Sequence, residues 1–452
     1  MIRYILVAIC LLVLIGLWAP LAQPWLSVGP VIGEKQLGLR LVASYLLVWI
    51  PYLAFSRRPR ASRFVNLTIT TGSLALCWGL LEFVALVGLV DYRLLILSPG
   101  GGYGEMKPWE NPWNRVDPEL IHIHRPGQRM TGKTAGDLVG TFGVPQRRSY
   151  PVDVQYDSRG FRNPEEINRA SVVVIGDSFV EAGLVPEREL ISSRLGAREG
   201  VKVANLGQSG WGPQQELIAL KRYGLQLKPK IVLWFFFEGN DLLDANRYQR
   251  WVQNWDAAMK ENHGFLTRSF SKNLLRALKA RLQRKRGDSE EGHRRSGRFR
   301  LHPEEPIYFA FPGVPLSRED EQGLAKTKQI LAEANRATHA GGAKFLLVFI
   351  PIKFRVYRDF CDFPEGGYGR SWKPNDLPDR LQRWSGEQGI EYLDLTEPLK
   401  RAAAGGGWVF FPDDGHWNGQ GNQVGAEAVA ALIEKNGWLE RSANYAANYT
   451  NK

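Results

Sequence analysis

Three apolar runs open the chain, roughly Ile2 to Leu21, Leu39 to Phe55 and Leu67 to Val90, and each approaches the ~20 residues that a helix needs to cross a hydrocarbon core. Three transmembrane helices are predicted. The first run lacks a small-x-small cleavage pattern at Trp18-Ala19-Pro20-Leu21-Ala22, and two further runs follow it, which argues for a retained span over a cleaved signal peptide. Arg57, Arg58, Arg60 and Arg63 crowd the second link, while the first link holds only Lys35 and Arg40 against Glu34. Positive charge marks the cytoplasmic side. Everything after about Val90 is therefore predicted to lie outside, in the periplasm or on the outer surface if the cell is bacterial.

The remaining 360 or so residues form an ordinary folding polypeptide, since the chain is 44% apolar and only 23% charged. Its formal charge of +12 is local: Ala245 to Leu316 carries 15 Lys/Arg and 7 Asp/Glu. Within this basic insertion, Ser271 is expected to cap a helix with an apolar stripe at Leu274, Leu275, Leu278 and Leu282, surrounded by Arg276, Lys279, Arg281, Arg284, Lys285 and Arg286. A stripe of that kind suits an anionic lipid surface or an anionic glycan. Nucleic acid is not an expected partner. Cys10 and Cys77 sit in apolar runs, so Cys361 is the only thiol of the polar part, and no disulfide framework is available there. No metal-ligand cysteine spacing is present, and neither metal nor cofactor is expected.

From 93 to 168 the chain is rich in Gly, Pro and Trp and reads as a loop-and-strand linker packed on the domain that follows. That domain, 169–440 with the insertion 245–316, contains apolar runs with the look of buried parallel strands: Ser171 to Ile175, Val201 to Leu206, Ile231 to Phe237, Phe345 to Ile350 and Ile390 to Leu393. Helical patterns at Pro213 to Tyr223, Ser317 to Ala340 and Gly419 to Asn436 separate or follow them. Alternating strands and helices predict a doubly wound α/β sheet, and residues 441–452 a flexible tail. Ligands of such sheets bind beyond the carboxyl ends of the strands.

The polar residues at those ends carry the chemistry. The first strand ends in Val174-Ile-Gly-Asp-Ser-Phe179, which presents the Ser178 hydroxyl at the rim and its amide at a helix start. The second ends in Asn205-Leu-Gly-Gln-Ser-Gly210 and the third in Phe237-Glu-Gly-Asn-Asp241. The Ser178 amide, the Gly210 amide and the Asn240 side chain could supply three donors to one oxyanion. Near the carboxyl end, Phe411-Pro-Asp-Asp-Gly-His-Trp-Asn418 sets a histidine two and three residues after acids that can orient its ring.

These four blocks, in this order, resemble the SGNH hydrolase superfamily, also called GDSL-like esterases, over roughly Ser171 to Asn436. The resemblance implies a three-layer αβα, flavodoxin-like fold. It also implies Ser178 as nucleophile, Ser178, Gly210 and Asn240 as oxyanion hole, and His416 as base. The usual Asp-x-x-His of the family would select Asp413; members with Asp-x-His-Trp would select Asp414, and Asp-Gly-His-Trp-Asn here is closer to them. The segment Tyr156-Asp-Ser-Arg-Gly-Phe-Arg-Asn163 also resembles membrane-anchored members; it is expected to pack on the sheet, with Arg159 and Arg162 the residues that could instead meet substrate. His122 and His124 alternate as in a strand with one exposed face and are expected to be structural.

A serine esterase or O-acyltransferase acting on acyl groups, acetyl above all, of an envelope polysaccharide or glycan is the function expected. A lipid or thioester hydrolase, or a catalytically silent glycan-binding subunit of an export complex, are the alternatives.

Overall fold

The computed structural model describes residues 10, 13, 34–96, 107–111, 113–287 and 290–439, so the first expected span and the expected tail lie outside the described residues. The chain divides into two compact units, Met1–Gly101 with Ala257–Asp288, and Gly102–Asp256 with Ser289–Lys452. The basic insertion is therefore shared: its central part belongs to the first unit and its flanks to the second.

In the first unit, helices Glu34–Phe55 and Arg60–Leu86 are long and apolar enough to cross a membrane, and they anchor the protein there. The second of them starts earlier than the apolar run suggests, because Pro59 sets its amino end. Arg63 explains the tight link: its guanidinium donates to the carbonyls of Leu53 at 2.6 Å and Arg58 at 2.7 Å, satisfying groups that a helix end leaves open. Tyr45 and Thr71 share a hydrogen bond of 2.8 Å, and Asn66 donates to the Tyr52 hydroxyl at 2.9 Å, so the two helices run side by side in opposite directions. The insertion helix spans Phe270–Gly287. Ser271 does not cap it: the helix begins one residue earlier, the Ser269 hydroxyl accepts from the Lys272 amide at 3.2 Å, and Ser271 instead bonds Glu82.

The second unit is built on a five-stranded parallel sheet: β1 (Val172–Gly176), β2 (Val203–Gly207), β3 (Ile231–Phe237), β4 (Lys344–Ile350) and β5 (Glu391–Asp394). Its strand order is 5-4-3-1-2, the flavodoxin-like order, whose switch point lies between β1 and β3. Successive residues feed opposite cores. Val172, Val174, Leu233, Phe235, Leu346 and Val348 pack with Ile191, Leu195, Val429 and Ile433 on one side. Val173, Ile175, Trp234, Phe236, Leu347 and Phe349 pack with Leu217, Leu324, Leu331 and Leu381 on the other. Both faces are thus covered by helices, which is why these strands read as unbroken apolar runs.

Helix Arg318–Ala340 opens with a reciprocal Ser317 and Asp320 cap. Helix Gly419–Asn436 is capped by Asn418, whose side chain accepts from the Gly421 amide at 3.0 Å. The helical run from Pro213 keeps α-helical geometry only to Ala219 and continues as a wider turn over Leu220–Gly224. The linker forms two antiparallel pairs, Asn114–Asp117 with Ile121–His124 and Arg129–Thr134 with Tyr150–Gln155, and a short helix Asp137–Phe142.

Candidate active site

Gly176 and Gly207 are register partners at the ends of β1 and β2. A Cβ on Gly176 would lie 2.6 Å from Val180 Cγ2, and one on Gly207 2.5 Å from the Glu181 amide nitrogen. Only glycine at both positions lets the short Ser178–Glu181 helix tuck over the strand ends. Asp177 caps that helix, accepting from the Phe179 amide at 2.9 Å. Ser178 is thereby held at the rim of the sheet.

His416 reaches the same rim from a loop closed by the pairing of Phe410 with Trp417. The buried Trp417 indole donates to the Phe179 carbonyl at 2.9 Å, which fastens the histidine loop to the serine turn. His416 Nε2 lies 2.8 Å from Ser178 Oγ, and Nδ1 lies 2.7 Å from Asp414 Oδ1. Because a carboxylate only accepts, Nδ1 carries a proton, and in the neutral ring the Nε2 lone pair faces the hydroxyl. Asp414 is 3% exposed and His416 29%. Burial alone would lower the imidazole, but the Asp414 charge beside it raises His416 to about 9. Conversely, burial pushes Asp414 up while the imidazolium and several hydrogen bonds more than reverse that, holding it at about 2.

Asp413 does not touch the ring. It accepts from the Tyr150 hydroxyl and sits beside Lys353, whose ammonium donates to the carbonyls of Tyr308 at 2.7 Å, Phe411 at 2.8 Å and Pro412 at 3.3 Å. Asp137 completes the support: its amide donates to Asp414 Oδ2 at 2.8 Å and its carboxylate accepts from the Gly415 amide at 2.7 Å. Neither Lys353 nor Asp137 is marked by any nearby sequence pattern, since the partner of Asp137 is 277 positions away.

The ends of β2, β1 and β3 are adjacent in the sheet, so Gly210, Ser178 and Asn240 follow three neighbouring strand ends. Gly210 has φ +80, a conformation that favours glycine. The Asn240 amide donates to Asp244 Oδ2 at 2.7 Å, and Asp244, 3% exposed, is also paired with Arg247. A Cβ on Gly212 would lie 2.7 Å from the Asp244 Cβ. Asp244 therefore bridges the glycine block and the asparagine, a role that its position one helical turn after Asn240 could have suggested.

The histidine pair differs from the expectation of one exposed face: both are buried, because the strand is covered on both sides. His122 Nε2 bonds the Ser209 carbonyl at 2.9 Å, and His124 Nε2 lies 2.9 Å from Glu181 Oε1, which also accepts from Tyr156 at 2.6 Å. Arg162 is 1% exposed and donates to the carbonyls of Glu181 at 2.9 Å and Val185 at 2.6 Å. A Cβ on Gly160 would lie 2.3 Å from the His124 carbonyl oxygen. The Tyr156–Asn163 segment thus braces the serine turn from below, and Arg162 is committed to backbone carbonyls rather than to solvent.

Residues 312–451 match the family described as the SGNH hydrolase-like domain of acetyltransferase AlgX. The match includes the histidine block and starts after the other three. Two curated relatives are "Probable alginate O-acetylase AlgJ" of Azotobacter vinelandii, 34% identical over 26% of this chain, and the protein of the same name from Pseudomonas putida, 27% identical over 28%. The aligned parts span 29% and 36% of those relatives. Among solved structures, TesA is similar at 15% identity with a TM-score of 0.31, covering 59% of this chain and 99% of its own. A GDSL-like lipase of Bacteroides thetaiotaomicron is similar at 14% identity with a TM-score of 0.30, covering 59% and 88%. The match over residues 312–451, together with the 5-4-3-1-2 sheet and the four blocks on its strand ends, supports membership of the SGNH hydrolase superfamily.

Proposed function

We propose that this protein is a membrane-anchored serine O-acyltransferase or esterase that moves acetyl groups on the hydroxyls of an extracytoplasmic polysaccharide. The observation that carries the chemistry is the unbroken relay from Asp414 through His416 to Ser178. His416 Nε2 takes the hydroxyl proton as Ser178 Oγ bonds to the acyl carbonyl carbon, and the carbonyl π electrons move to oxygen. The Ser178 and Gly210 amides and the Asn240 side chain hold that oxyanion. When the tetrahedral centre collapses, the bond to the leaving oxygen breaks, and His416 returns its proton to that oxygen. An acceptor hydroxyl then repeats the sequence on acyl-Ser178, losing its proton to His416 and leaving with the acyl group. Water in the acceptor position gives an esterase.

The acyl class and the acceptor class are supported by the AlgX-type domain match and by the printed names of the two relatives. The outward placement is supported by Arg57, Arg58, Arg60 and Arg63 in the link between the two apolar helices. Mass spectrometry of cell-surface polysaccharide from cells with and without Ser178→Ala tests the reading: acetyl content should change while the polymer itself persists. Unchanged acetylation, with the variant present in the membrane, would point instead to a silent subunit.

A further inference from the structure

The chain leaves the first unit near residue 101, returns to it at Ala257 and leaves again at Asp288. What the returning segment does there follows from its level along the helix pair. Gly38 lies 17 residues from Phe55, and Trp78 lies 18 residues from Arg60, so each stands about 26 Å from the arginine link along its helix. A hydrocarbon core is about 30 Å thick. Both positions therefore mark the far boundary of the layer that the helices cross, and the insertion helix docks at this level. Leu275 Cδ1 would touch a Cβ on Gly38 at 3.7 Å, the Trp78 indole donates to the Ser271 hydroxyl at 2.8 Å, and Glu82 accepts from the Ser271 amide at 2.7 Å.

The chemistry around the dock is that of a membrane surface. Phe270 packs edge to face with Trp78 and with Tyr92, each at 5.1 Å, and aromatic rings of this kind collect at headgroup level. Phe265 and Leu266, just before the helix, and Leu89 and Leu95, just after the spanning pair, present apolar side chains outward, Leu89 being 77% exposed. Within Phe270–Gly287 the sequence holds seven Lys/Arg and no acid. Such a segment cannot enter hydrocarbon, and it docks at the edge of it.

We propose that the Phe270–Gly287 helix lies at the surface of the leaflet opposite the arginine link, with the cations of its sequence on the phosphates of acidic lipids. The soluble unit is thereby tied to one membrane surface by a second attachment, independent of the two spanning helices. Lys272, 3.5 Å from Glu261, stands near the start of this cationic run of the sequence.

The test uses the full chain in nanodiscs of phosphatidylcholine alone or mixed with phosphatidylglycerol, and follows trypsin cleavage after Arg276 and Arg281 by mass spectrometry. Each cation at an acidic surface contributes about 5-fold, so cleavage should be at least ~5-fold slower with phosphatidylglycerol. The triple variant Lys279→Gln, Arg284→Gln, Lys285→Gln should lose that difference. Fluorophosphonate labelling at Ser178 in every sample reports separately that the soluble unit is folded. Equal cleavage in the two lipids would overturn the proposal. So would protection that a soluble anionic polysaccharide supplies and phosphatidylglycerol does not, which would assign the cations to a glycan.

Discussion

The carboxylate of Asp414 stands 2.7 Å from His416 Nδ1, while the adjacent Asp413 is turned to Tyr150. The two acids are neighbours in sequence, and the loop gives them separate tasks. Asp414→Asn should keep the loop in place but favour the wrong imidazole tautomer, reducing the rate of fluorophosphonate labelling by about 10³-fold or more. Asp413→Asn should change labelling by less than about 10-fold. Equal losses would contradict this division of roles.

The raised imidazole sets a pH dependence with a definite sign. Only neutral His416 can accept the Ser178 proton, so labelling should increase as pH rises through about 9. In Asp414→Asn the midpoint should move toward the ordinary histidine value near 6.5. The same shift contributes to stability: the folded value lies above the unfolded one, so the contribution is complete below about pH 6.5 and is lost as pH rises through about 9. Thermal unfolding of the native chain and of His416→Gln should therefore converge at high pH.

Asn240 is aimed by Asp244, and its contribution should depend on that acceptor. Asn240→Ala should cost about 10²-fold to 10³-fold in turnover. Asp244→Ala should lower turnover in the same direction with little change in KM, while Asp244→Asn, which keeps an acceptor oxygen, should recover most of it. If Asp244→Ala and Asp244→Asn behave alike and only the melting temperature falls, Asp244 is structural alone.

Gly212 is the contact through which the glycine block leans on Asp244. Gly212→Ala places a methyl group 2.7 Å from the Asp244 Cβ, and overpacking of that kind costs about 1–3 kcal/mol. Urea unfolding should show the loss. The turnover of the folded fraction should fall with it, because the displaced acceptor no longer fixes Asn240.

Lys353 holds three carbonyls around the histidine loop. Lys353→Met leaves those carbonyls buried without their donor, which should destabilise the fold by about 3 kcal/mol. Calorimetry of the transition of the sheet-bearing unit checks the magnitude.

What the sequence discloses is governed by distance along the chain. The apolar runs locate β1 to β5 to within about two residues, because β1 to β4 are buried on both faces and the pattern is local, while the edge strand β5 is only half-buried. Ser178, Gly210, Asn240 and His416 are legible because each sits in a short block at a strand end or helix start. Asp137, Lys353 and the Glu181 cluster with His124 and Tyr156 are not, since their partners come from remote segments and only the folded sheet brings them together. Periodicity marks the insertion helix well, but its docking on Trp78 and Glu82 depends on a contact 193 and 189 residues away.

The most direct test of the central claim is to treat the purified chain with a fluorophosphonate and locate the adduct by peptide mass spectrometry. The relay from Asp414 through His416 predicts a single modified residue, Ser178, with labelling abolished in both Ser178→Ala and His416→Ala at unchanged secondary structure. An adduct on another serine, or one that persists at full rate without His416, would contradict it.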